Sequence, residues 1–274
     1  MGPESPPIRS ASRVSCEPTT GRHLPTYDRR YEVVPNEGGE GVIASLCAVA
    51  RKVRARRALE VGCGTGFWMA AFEPFVPEIC GLDFSAGMLA KARERDGRFR
   101  LVRGTASRLP FVPEGFDLVF SVNAIHHFDD PEAFVAEARR VLGFGGSLVV
   151  IGMNPHAGRD RGYLGDYFPG ILETDLDRYP SAATVTEWMK SAGFDLVESG
   201  IAHRIRDDFV GREVLEDPSL EKNGTSQLAL LSDEDYAAGI ARIHAALDDT
   251  EASGKKLVFP VDISLAMVTG YITR

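Results

Sequence analysis

Short apolar runs alternating with helix-period stretches predict an α/β fold. The expected form is a doubly wound, mostly parallel seven-stranded sheet with helices on both faces and a small helical cap. Three observations carry this. Ala58–Val61, Ile79–Leu82, Phe99–Val102, Asp117–Ser121 and Ser147–Ile151 are continuous rather than alternating apolar runs, as in strands covered on both faces. Strands and helices alternate along the chain. Glu60, Asp83, Gly104 and Asn123 fall at or just beyond the carboxyl ends of those runs, the edge at which an open α/β sheet holds its ligand.

Residues 1–25 are rich in Pro, Ser, Thr and Arg without periodicity, and predict an unordered tail ahead of one domain over 26–274. Gly41–Val53 places Ile43, Leu46, Cys47 and Ala50 on one helical face. Helices are expected at Phe67–Phe75 and Gly87–Arg95. A further helix at Pro131–Leu142 has Asp130 as N-cap, Pro131 in the first turn and Gly143 past the end. Thr184–Ala192, closed by Gly193, precedes a sixth strand at Phe194–Ser199. Residues 203–256 are expected to form a cap insertion before a last strand at Leu257–Thr269. Its main helix, Ser232–Asp248, begins on a Ser232/Asp235 capping pattern and repeats Tyr236, Ile240, Ile243 and Leu247 along one face.

The first strand runs into Glu60-Val61-Gly62-Cys63-Gly64-Thr65-Gly66-Phe67. Glycines at alternate positions let the backbone bend sharply and approach a ligand. Asp83 ends the second strand, where a carboxylate can accept from both hydroxyls of a ribose. Together they predict an adenosine-containing cofactor. A dinucleotide fits poorly. Its fingerprint G-x-G-x-x-G/A needs a small third residue and a helix N-terminus facing phosphate. Here Phe67 holds that position, and Glu60 repels pyrophosphate while favouring a cationic ligand. Phe67 likewise argues against a nicotinamide-dependent oxidoreductase.

On these residues the chain resembles the class I S-adenosylmethionine-dependent methyltransferases, in which E/D-x-G-x-G-x-G follows the first strand and an acidic residue ends the second. Phe116-Asp117-Leu118-Val119-Phe120-Ser121-Val122-Asn123-Ala124-Ile125-His126-His127-Phe128-Asp129-Asp130-Pro131 is similar to the fourth strand and following loop of the small-molecule branch. Gly145-Gly146-Ser147-Leu148-Val149-Val150-Ile151 is similar to the turn into the fifth. The resemblance covers about residues 55–155 well and the remainder loosely. It implies S-adenosyl-L-methionine as cofactor, with Glu60, Gly62, Cys63, Gly64 and Gly66 around its methionine part and Asp83 on the ribose. Phe84 flanks the adenine, and Met88 either stacks on it or belongs to the core. Asn123 and Ala124 end the fourth strand beside the same site. Two departures stand out. Gly104-Thr105-Ala106 replaces a G-D-A turn, so the adenine amino group meets a hydroxyl in place of a carboxylate. Gly143-Phe144-Gly145-Gly146 lacks the usual proline. Tyr27-Asp28-Arg29-Arg30-Tyr31 is similar to the branch's lid, with Tyr31 as an aromatic over the sulfonium, or is a surface loop.

His126 and His127 are the candidates for taking a proton from the acceptor, since imidazole titrates near neutrality. In an extended segment adjacent side chains point apart, so one of the pair is expected to face the substrate. The family pattern assigns His127 to the architecture and leaves His126 for the substrate. Asp129 and Asp130 are read as helix caps and no metal is expected. The expected activity is methyl transfer to an O, N or C nucleophile of a small organic molecule. The apolar cap favours a hydrophobic or aromatic acceptor by analogy. The alternative is the same fold with other chemistry, or a non-catalytic subunit that binds the cofactor.

Composition is consistent with this. The chain has 274 residues, 44% hydrophobic, with net charge −8, which disfavours general nucleic-acid binding. The basic run Arg51–Arg57 is explained by a solvated helix end. No N-P-P-Y-like turn follows the fourth strand. No apolar run reaches the ~20 residues of a membrane span, and the N-terminus lacks a signal-peptide core, so a cytoplasmic protein acting as monomer or homodimer is expected. Cys16, Cys47, Cys63 and Cys80 form no C-x-x-C pair and are expected to be reduced thiols.

Overall fold

The computed structural model describes residues 40–273. The expected tail, the Tyr27–Tyr31 segment with its Tyr31, and Cys16 lie outside them.

The chain alternates as α1 Glu40–Val53, β1 Arg57–Val61, α2 Phe67–Phe72, β2 Glu78–Asp83, α3 Ala86–Arg95, β3 Arg100–Arg103, β4 Phe116–Val122, α4 Pro131–Val141 and β5 Leu142–Met153. The pairs β3–β2, β2–β1, β1–β4 and β4–β5 are all parallel. The order β3-β2-β1-β4-β5 reverses direction beside β1, which puts the topological switch point between the carboxyl ends of β1 and β4. Period-2 alternation fills both faces. Leu118, Phe120, Val149 and Ile151 pack under α1 and α2, whereas Leu59, Val119, Leu148 and Val150 pack under α4 and α7 (Ala182–Ser191). Helix starts follow the caps in the sequence. The Ser85 hydroxyl accepts from Met88 N–H, the Asp130 carboxylate from Ala133 N–H and the Ser181 hydroxyl from Thr184 N–H.

The second half departs from the expected outline. A two-residue strand β6 (Arg161–Gly162) makes eight strands among the described residues. The short helices α5 (Tyr163–Tyr167) and α6 (Ile171–Arg178) follow it. They escape a periodicity reading because helices of one or two turns do not fill the window it needs. The sixth strand, β7, does not stop at Ser199; it runs over Leu196–Val210 and pairs antiparallel with β8 (Val258–Tyr271). Only the C-terminal half of β8 pairs with β5. The remainder of the β7–β8 ribbon extends past the sheet and carries α8 (Ser226–Ala229) and α9 (Asp233–Ala252). A third apolar cluster, including Phe168, Leu228, Ile243 and Phe259, closes this outer layer.

Part of the basic run is absorbed structurally. The Lys52 ammonium stands over the Tyr271 ring at 3.7 Å and pairs with Glu198, and Asp117 accepts from the Arg56 and Arg57 amides. Among the described residues no helix is long and apolar enough to cross a membrane.

Phe120 is fully buried and meets Phe72 edge-on at 5.4 Å, at the centre of one core face. Phe120→Ala leaves a cavity there and is expected to destabilise the fold by about 3–5 kcal/mol. Urea denaturation checks this as a lowered midpoint with an unchanged slope.

Candidate functional site

The turn after β1 is built by three glycines in the left-handed region, Gly62 at φ 77°, Gly64 at φ 52° and Gly66 at φ 74°. At Gly62 space also forbids a side chain, because a Cβ would stand 2.5 Å from that of Ala124. At Gly64 the reason differs: a Cβ would meet nothing within 4 Å, so that backbone faces open space. The turn is tied to β2 from both sides. Gly62 and Cys63 N–H groups donate to Leu82 O, and Gly64 N–H donates to Asp83 Oδ2 at 2.9 Å. The other carboxylate oxygen, Oδ1, accepts from Ser85 N–H at 2.8 Å. Each oxygen keeps lone-pair capacity for a ligand.

These groups edge a cavity of about 960 Å³. Its wall brings together Gly62, Cys63, Gly64, Asp83, Phe84, Met88, Gly104, Thr105, Ala106, Asn123 and Ala124. Phe84 is 65% exposed, an apolar ring held out at the cavity edge. Two expected residues are not on the wall. Gly66 turns the chain behind it, and Glu60 lies beneath the turn at 0% exposure. Burial, and then the nearby Asp83 charge, push the Glu60 carboxyl well above the carboxylate range, partly offset by the Met69 amide in α2. Burial also pushes the Cys63 thiol upward, as do Glu60 and Asp83, so it is no nucleophile.

Asp129 is the residue that sequence reasoning missed here. It was assigned to capping, which Asp130 alone performs. Asp129 instead lines the cavity, and its Oδ2 accepts from the Ser107 hydroxyl at 2.7 Å, which also reaches Thr105 Oγ1 at 3.4 Å. A carboxylate thus stands beside Thr105, supplied by a different loop. Only the fold could reveal this, since residues 105 and 129 are remote in sequence.

A second cavity, of about 970 Å³, adjoins the first. Asn123, His127, Thr225 and Ser226 belong to both walls. Its floor is the overhanging ribbon, through Ile205, Asp207 and Phe209 of β7 and Val261, Ile263 and Leu265 of β8, and its side is α6. The expectation that only one histidine of the pair faces the substrate side is corrected. Ile125–His127 is a 3₁₀ turn and not an extended segment, so both rings reach this cavity, 4.0 Å apart. His126 stacks on Tyr179 at 3.9 Å, while His127 sits where the cavities meet. Asn123, just before this turn, has φ 49° and donates its N–H to Ile151 O, which fixes the end of β4.

A parallel sheet with a glycine turn at its switch point, an acidic residue ending β2 and an antiparallel β7–β8 edge defines the class I S-adenosylmethionine-dependent methyltransferase fold. Residues 59–150 match the family model "Methyltransferase domain", and over that stretch the chain has the class I S-adenosylmethionine-dependent methyltransferase domain. It is 33% identical over 139 residues to a malonyl-[acyl-carrier protein] O-methyltransferase of Legionella pneumophila, covering 49% of this chain and 48% of that protein. The chain spans about half the length of the curated relatives it matches. Among solved structures, a protein of Anabaena variabilis named as a methyltransferase from an antibiotic biosynthesis pathway superposes with TM-score 0.65 at 18% identity, covering 84% of this chain and 96% of that one. Phosphoethanolamine N-methyltransferase 2 of Haemonchus contortus, solved with S-adenosyl-L-methionine, superposes with TM-score 0.56 at 20% identity, covering 91% of this chain and 56% of that one.

Glu60 gives a test of the local electrostatics. Its raised folded-state pKa means the folded protein holds a proton that the unfolded chain releases above about pH 4.3. Stability from this group is therefore full below that pH and is lost as pH rises toward the folded value. Glu60→Gln mimics the protonated form without that cost. The variant's melting temperature should match wild type near pH 4 and exceed it at pH 7, by roughly 2–4 °C per kcal/mol relieved. Thermal scans across pH check this.

Proposed function

We propose that this protein transfers a methyl group from S-adenosyl-L-methionine to an O, N or C atom of a small organic molecule. The observation that carries the reading is the junction of two cavities at Asn123 and His127, one against the glycine turn and one against the outer layer. The residues present fit the cofactor. Gly64 leaves open backbone, Asp83 offers two oxygens each used once, and Phe84 and Met88 supply apolar surface.

When bound, the cofactor supplies a methyl group already activated on a sulfonium. The chain's work is then to bind, align and exclude water. Asp83 accepts from the ribose hydroxyls. Phe84 and Met88 flank the adenine, with Thr105, the Ala106 amide and Asp129 at its polar edge. The turn at Gly62, Cys63 and Gly64 holds the methionine part, with Glu60 behind it. Asn123 and Ala124 set the wall toward the junction. In this reading His127, at the junction, takes a proton from an acceptor hydroxyl or amine, which reverses the expectation that His126 does so, and His126, stacked on Tyr179, supports the ring beside it.

Calorimetric titration with S-adenosylmethionine and S-adenosylhomocysteine tests the reading. Micromolar binding is expected. Asp83→Ala should weaken it about 100-fold, as expected when hydrogen bonds to a charged acceptor are lost, in a protein whose circular dichroism is unchanged. No heat from either ligand with a folded sample overturns the assignment.

A further inference from the structure

The second cavity has a charge pattern that methyl transfer alone does not require. Its wall carries Asp160, Asp166, Asp175, Asp207 and Asp217 against a single guanidinium, Arg161. The carboxylates are not gathered for a metal. Among the described residues no group of three or more His, Cys, Asp or Glu side chains has that geometry.

Helix α6 supplies a second, independent observation. Along it Ile171, Leu172, Asp175 and Leu176 form one stripe, and all four line the cavity. Leu172 is 55% and Leu176 37% exposed, so among the described residues this apolar face is turned toward the cavity. Between them Asp175 is 3% exposed. Its Oδ2 accepts from the Gln227 amide of α8, but Oδ1 makes no hydrogen bond. Arg178 Nη1 forms a long ion pair with Oδ1, at 4.0 Å and beyond hydrogen-bond range, and offsets part of its charge. Burial holds the Asp175 carboxyl above its usual range, a penalty that an incoming cation offsets. Asp217, by contrast, is satisfied by the Tyr163 hydroxyl and Ser219 N–H, and Asp160 by Ser264 N–H.

We infer that the acceptor is an organic amine, its apolar body lying on Leu172 and Leu176 and its ammonium held at Asp175 within the acidic wall. This rests on the reading of the second cavity as the acceptor site. The ammonium is a recognition handle, and the assignment is one of binding. Aromatic side chains on the same wall, Tyr163, Tyr179 and Phe209, suit a cation as well.

The test uses three ligands of one shape, tryptamine, tryptophol and indole-3-propanoate, titrated calorimetrically into the protein with saturating S-adenosylhomocysteine. Tryptamine should bind at least about tenfold tighter than tryptophol, and indole-3-propanoate weakest. Asp175→Asn should bring tryptamine down to the level of tryptophol while tryptophol and S-adenosylhomocysteine bind as before. Asp207→Asn, on the half-exposed floor strand, should cost tryptamine about two- to threefold and serves if the α6 variant fails to fold. Equal binding of amine and alcohol, preference for the carboxylate, or no tryptamine binding at millimolar concentration overturns the inference. Failure of S-adenosylhomocysteine to bind would overturn the cofactor assignment instead, and the three ligands titrated into the protein alone would still decide the amine question.

Discussion

The Asp83 carboxylate is the constraint on which the cofactor side of the site depends. One oxygen fastens the Gly64 amide and the other the Ser85 amide, so a single side chain ties the turn after β1 to the turn after β2. The backbone in between has left-handed residues that no ordinary side chain would hold cheaply. Two charge-assisted hydrogen bonds offset that conformational cost and leave the free lone pairs of the same carboxylate facing the cavity. Structure and recognition thus share one group. The cleft is preorganised, because the atoms that would hold a ribose are fixed before any ligand arrives.

The acceptor side is made differently. β7 and β8 are longer than the sheet they join, and their overhang forms a floor, with α6 as one side. Its wall therefore comes from the least regular part of the chain, after the strands that the glycine turn needs. Thr225 and Ser226, just before and within the short helix α8, reach both cavities. The outer layer thereby reaches the junction of the cavities without contributing to the turn itself. This separation lets the cofactor cleft stay constant while the acceptor wall takes any chemistry.

The parallel half of the fold was legible because its signals are local. Continuous apolar runs mark strands buried on two faces, and Ser85, Asp130 and Ser181 each cap the helix their position implies. The wall of the cavity at the glycine turn was legible for the same reason, since strand ends in this topology converge at one edge. What escaped was non-local or short. Asp129 joins Thr105 only through the fold. The His126–His127 segment reads as extended, but it follows Asn123 in the left-handed region and closes into a 3₁₀ turn. Helix α6 departs from the usual pattern, since it buries Asp175 beside Ile171 in the outer cluster and exposes Leu172 and Leu176.

That departure has a physical meaning. A helix buries its apolar face because water is the alternative, and Leu172 and Leu176 forgo this only over a cavity large enough for another molecule to cover them. A buried aspartate between them carries a desolvation penalty that the Gln227 amide and the long ion pair with Arg178 offset only in part. Both terms are unfavourable in the free protein, and one ligand relieves both if it presents an apolar body and a positive end. On the cofactor side Glu60 follows the same logic. Its carboxyl is held well above the usual range beneath the glycine turn, so a positive charge arriving near it, as the proposed cofactor would bring, favours ionisation. Each cavity thus stores an electrostatic cost in an aspartate or glutamate placed behind apolar surface. On the proposed reading, the state in which those costs are lowest is the one with cofactor and amine in place across His127.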